Sequence, residues 1–115
     1  MKTFLIFFLS TFLNNSTPTA VSDVSAEEII SAIASDDYLF IENALSLKSI
    51  HPNQFFDGKT MLIHAVILDK PEMVNLLVRR GAQLGLPCDE GFTPLEYAEK
   101  LESIYAQAEI IVISA

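Results

Sequence analysis

Apolar residues recur along most of the chain at the three- and four-residue spacing of a helix face, and short polar turns interrupt them at regular intervals. The pattern is clearest in the middle. Leu62, Ala65 and Val66 mark one stripe, and Val74, Leu77 and Val78 mark a second. The spacing predicts a helix over 61–68 with Thr60 as its N-cap. Asp69-Lys70 then makes a turn, and Pro71 opens a second helix over 71–80, because the first helical position tolerates a missing N–H. Arg79 and Arg80 place cations at the negative end of that helix, and Gly81 follows as a C-cap. From 82 to 92 no periodicity remains, and Gly85, Pro87, Asp89 and Gly91 mark a loop.

The same order returns 33 residues later. Gly58 and Gly91 are separated by that interval, as are Thr60 and Thr93, Leu62 and Leu95, and Ala65 and Ala98. An acidic residue precedes each glycine, Asp57 and Glu90. A weaker copy lies one period earlier, with Ile29, Ala32 and Ile33 in place of Leu62, Ala65 and Val66. Ile41, Ala44 and Asp36 stand there for Val74, Leu77 and Asp69. The small alanine at 32, 65 and 98 marks where two helices must approach closely. In the last copy, a first helix starts at Thr93-Pro94-Leu95 and is expected to run past Leu101. A second helix over 103–115 carries Ile104, Ala108, Ile111 and Val112, and its strand-prone end lacks the polar face of a terminal cap. A fixed period of this length is the signature of a repeat array.

Two stretches carry a resemblance. Glu90-Gly91-Phe92-Thr93-Pro94-Leu95-Glu96-Tyr97-Ala98 and Leu76-Leu77-Val78-Arg79-Arg80-Gly81-Ala82 together resemble the ankyrin repeat, over roughly residues 26 to 115. The copies depart from that pattern in places. Met61 replaces its proline, Ile63 and Glu96 replace its histidine, and Asp36-Asp37 and Asp69-Lys70 replace its Gly-His turn. The loop from His51 to Phe56 is one residue short. The resemblance implies an all-α fold, an ankyrin-repeat solenoid of helix–loop–helix units with hairpin-like loops. Residues 27–115 would form the domain, in units of about 27–57, 58–90 and 91–115. About three units are the minimum for stability, so the last helix is expected to be needed for folding.

The N-terminal segment changes the picture of location. Lys2 precedes an apolar run from Phe4 to Leu13 and a polar exit, as in a secretory signal peptide over 1–26. The run is shorter than the roughly 20 residues that span a bilayer. Cleavage is expected after Ala20 or after Ala26, where Val24-Ser25-Ala26 supplies small residues. A periplasmic or secreted protein follows, with no membrane contact beyond the signal peptide. The lone Cys88 cannot form an internal disulfide and reads as a small loop residue. Its neighbours Asp89 and Glu90 are expected to raise the thiol pKa.

Charge narrows the partners. Fifteen acidic residues against seven basic ones give a net charge of −8, which repels phosphate backbones and anionic lipid. Nucleic acid is therefore excluded as an expected partner. His51 and His64 lack a third ligand at useful spacing for zinc. The adjacent pairs Glu27-Glu28 and Asp36-Asp37 diverge on a helix and suit a helix start and a turn. With no phosphate-binding glycine loop either, neither an enzyme nor a cofactor is expected.

What remains is a surface for another protein. The resemblance places contacts at the loop tips and on the exposed side of each first helix. These are Phe56, Asp57, Lys59, Ile67 and Leu68 in the middle unit, and Asp89, Glu90, Phe92, Lys100 and Leu101 in the last. Phe55 precedes the first group. An aromatic at each tip suits an interface anchor, whereas a solvated tip favours small polar residues. Phe55 and Phe56 packing on the neighbouring unit, and Ile67 and Leu68 packing in the core, are the alternatives. The acidic tips favour a basic patch on the partner. The expected function is that of an exported protein-binding adaptor or scaffold. An inhibitor or immunity-type protein, or a secreted effector acting on a host protein, are the alternatives.

Overall fold

The computed structural model describes residues 24–115. The apolar run and Ala20 of the signal-like segment lie outside the described residues. Helix α1 spans Ala26–Ala34 and α2 spans Tyr38–Ser46. Strands β1 (Phe55–Phe56) and β2 (Lys59–Thr60) follow, then α3 (Met61–Ile67) and α4 (Pro71–Arg79). The chain ends with α5 (Pro94–Lys100) and α6 (Ile104–Ser114). The described chain is all-α apart from this one short hairpin.

The 33-residue period is present in the backbone. Asp36, Asp69 and Glu102, one period apart, all take the left-handed conformation, at φ 59°, 56° and 56°. The next residue's N–H then reaches back to the recurring alanine. Asp37 donates to the Ala32 carbonyl at 2.8 Å, Lys70 to Ala65 at 2.9 Å and Ser103 to Ala98 at 2.9 Å. This turn ends each first helix, and it corrects one expectation. Helix α5 stops at Lys100 instead of running past Leu101, because Glu102 takes the left-handed position. Gly81 at φ 107° has its counterpart in Lys48 at φ 61°, so the second helices end alike too.

The helix starts follow from local chemistry. Thr60 Oγ1 accepts from Ile63 N and Thr93 Oγ1 accepts from Glu96 N. Thr93 N in turn donates to Glu96 Oε1, completing a capping box. Ser25 and Glu28 form the same box, so Ser25 and Ala26, where one of the two cleavage sites falls, stand at the start of α1. Helix α6 has no cap from its own Ser103 side chain. Instead Asp69, in the turn of the preceding unit, accepts from Ala106 N at 2.8 Å and caps α6 from outside.

Helix α3 is the centre of the stack, packed between α1 and α5, while α4 packs against α6. Met61, Leu62, Ile63, Ala65 and Val66 are all fully buried. Apart from His64 the helix is apolar all round, the kind that other elements enclose on every side. The hairpin pairs Phe55 with Thr60 and Phe56 with Lys59, antiparallel. Its turn is Asp57-Gly58, with both residues at positive φ, as an Asp-Gly hairpin turn requires.

Candidate functional site

The Asp57-Gly58 tip and the next turn, at 88–92, meet directly. Asp89 N donates to the Gly58 carbonyl at 2.9 Å. Glycine at position 58 supplies the positive φ, and a Cβ there, 3.0 Å from Asp89 Oδ2, would push that exposed carboxylate aside. The second turn closes on itself through Cys88 N donating to the Phe92 carbonyl and Gly91 N to the Cys88 carbonyl, each at 2.9 Å. The result sets three exposed carboxylates, Asp57, Asp89 and Glu90, on adjoining tips.

Lys100 and Phe92 flank them. Lys100 Nζ lies 4.5 Å from the centroid of the Phe92 ring, a cation–π contact. Phe92 also stands edge-on to Tyr97, with centroids 5.7 Å apart and planes at 67°. Phe92 and Lys100 line a shallow depression together with Glu96 and Glu99. Phe92 is half-buried and Lys100 exposed, so one ring face is held ready beneath a movable cation. Lys59 is half-buried on β2.

The expectation for Phe56 is corrected. Its side chain is 4 % exposed, in the core, while Phe55 is 39 % exposed. Successive strand residues face opposite sides, so the hairpin turns one ring inward and the other out. Ile67 is half-buried and packed on the core, so it too contributes mainly to packing. Leu68 and Leu101, the C-caps of α3 and α5, are exposed.

Beneath the tips lie two polar groups in equivalent positions, His64 and Tyr97. His64 Nε2 is 2.7 Å from the Phe56 carbonyl oxygen. That oxygen can only accept, so Nε2 carries the proton. Burial drives the His64 pKa down; the Phe56 carbonyl and Asp57 oppose this, and Lys59 adds to it, leaving the net shift downward. The folded protein therefore resists a proton that the unfolded chain accepts at about pH 6.5. The stabilisation is complete above that pH and is lost as pH falls through the folded-state value. The urea midpoint is expected to drop between about pH 7.5 and pH 5.5, and to drop less in His64→Gln. Identical pH profiles for the two proteins would remove His64 from this role.

Tyr97 anchors the second turn. Its hydroxyl is 3.4 Å from Cys88 Sγ, and that bond together with burial pushes the Tyr97 pKa up to about 12. Cys88 lies in the 88–92 turn, as expected, and is buried there. Burial pushes its thiol up, but the hydrogen bonds of Tyr97 and of the Phe92, Glu90 and Gly91 backbone outweigh it. The net shift is downward. This overturns the expectation that Asp89 and Glu90 raise it: the Glu90 backbone N–H, at 3.3 Å from the sulfur, lies closer to the chemistry than its carboxylate charge. The equivalence of His64 and Tyr97 under the 33-residue period was the available signal for this pair of anchors.

Among the described residues, no group of three or more His, Cys, Asp or Glu is placed to hold a metal ion. No helix among them is long and apolar enough to cross a membrane. No protein-family model matches the chain, and no curated protein matches it.

Proposed function

We propose that this chain is an exported ankyrin-repeat protein, an adaptor or scaffold that binds a protein partner through its joined loop tips. The observation that carries this reading is the Asp89–Gly58 bond, which fixes two tips into one surface. Preorganised tips bind without the ordering cost of free loops. The surface offers Phe92, capped by Lys100, beside Asp57, Asp89 and Glu90, and Phe55 lies outward on β1. Such a surface suits a partner with a basic patch around an apolar or aromatic contact that displaces Lys100. The ankyrin assignment rests on the 33-residue recurrence of Asp36, Asp69 and Glu102 and on the Thr-capped first helices.

The test is a tagged pull-down from exported fractions, comparing the wild type with a Phe55→Ala, Phe92→Ala double variant whose helicity matches by circular dichroism. Phe55 is used because Phe56 is a core residue. A protein enriched by the wild type and reduced at least tenfold by the variant is the expected outcome. Equal recovery by both would rule out the tip surface. If the captured protein is an enzyme or toxin that loses activity in the complex, the inhibitor reading displaces the adaptor.

A further inference from the structure

The outward face of α6 is apolar, and it has a symmetry that bears on what covers it. Its exposed residues are Ile104, Tyr105, Ala108, Ile111 and Val112, with Ile104 at 66 % and Val112 at 69 % exposure. About Ala108 they stand at positions −4, −3, 0, +3 and +4. The stripe therefore reads the same in both directions along the helix. An antiparallel second copy related by a two-fold axis at Ala108 would set Ile104 against Val112 and Tyr105 against Ile111, twice each. A two-fold interface requires this self-complementarity, since residue i meets residue j and j meets i. The small Ala108 at the crossing lets the two helices approach closely.

Charge favours the same occupant. The whole chain carries −8, which opposes association through most faces. Along α6 the only charged residue is Glu109, half-buried and already accepting from Asn75 Nδ2 at 2.9 Å. Two copies can meet here without bringing like charges together. The antiparallel sense also keeps Glu102, just before α6, away from its own copy. At the other end of the stack, α2 and its C-cap expose Leu39 and Leu47 beside a groove lined by Glu27, Glu28, Ser31, Ser35, Asp37 and Phe40, so head-to-tail stacking would set carboxylates as well as leucines against the stripe. Such stacking would not close at two chains.

We infer that the chain forms a two-fold dimer through the outward face of α6, with Ala108 at the axis. The pairing leaves both sets of loop tips free and makes the molecule bivalent. Five residues are few beside the roughly 20–30 a side of a standard interface, so micromolar dimerisation is expected.

Sedimentation equilibrium of the exported chain tests this, with Ile104→Glu, Val112→Lys and the double variant carrying both. These charges agree with the dipole at each end of α6, and circular dichroism checks that folding is kept. The wild type is expected at two chain masses at about 100 µM, with each single variant dimerising at least tenfold more weakly. The double variant is expected to recover most of that loss, because the carboxylate introduced at position 104 of one copy would face the ammonium introduced at position 112 of the other. A monomeric wild type, growth beyond two chains, or single variants that dimerise as before would overturn the dimer. Failure of the double variant to recover would overturn the antiparallel pairing.

Discussion

Replacing Leu77 by alanine is expected to lower stability by about 2–5 kcal/mol, the range for removing a fully buried leucine. Leu77 is fully buried on the inner face of α4, the second helix of the central unit. Its carbonyl also closes that helix by accepting from Ala82 N. The cost is large against a total of roughly 5–15 kcal/mol for a domain, and smaller domains fall at the low end. Helix α4 contacts both α3 and α6, so a defect there weakens both contacts at once. Urea unfolding followed by circular dichroism reads the change. Leu47→Ala is the control: Leu47 is 69 % exposed, and its loss is expected to stay within about 0.5 kcal/mol. A Leu77→Ala cost below about 1 kcal/mol would mean that the site collapses around the deletion, and that α4 is less tightly held than its burial indicates.

The helical framework was legible because its signals are local. Thr60 and Thr93 cap their helices through their own hydroxyls, and Pro71 opens α4. Each of these acts within three or four residues, where sequence spacing and spatial proximity coincide. The recurrent turn was legible as a period at Asp36 and Asp69 but not at Glu102, where the helix was expected to run on. Any residue that tolerates the left-handed conformation fills that place at modest cost.

What the sequence left open depends on which side of an element faces the stack. Phe55 and Phe56 are chemically identical, and only the placement of the hairpin against α3 decides which ring is buried. Cys88 is the loop residue expected, but the sequence places beside it only two acidic neighbours. Its real environment is Tyr97, nine residues on, and backbone N–H groups folded over the sulfur. Asp69 capping α6 was hidden for the same reason, since the two are joined only by the packing of α4 and α6. The site thus combines readable tips with anchors that come from the stack.

A chain that stops at Glu102 is expected to lose cooperative folding. Helix α6 covers both α4 and α5 with Ala106, Ile110 and the partly buried Ile113. Removing it would expose the apolar surface of α4 and α5 that it covers to water, at about 25 cal/mol per Å². It would also leave Asp69 without Ala106 N and Asn75 without Glu109. The remaining helices would lack the element that covers α4 and α5. Far-UV circular dichroism of the truncated chain is expected to show weak helicity and no sigmoidal melt. A cooperative melt within a few degrees of the full chain would show that the first two units fold alone. Ile104→Glu distinguishes the two faces of α6. It alters only the outward stripe, so it is expected to leave the melt intact while weakening the dimer, whereas the truncation removes the inward face that folding requires.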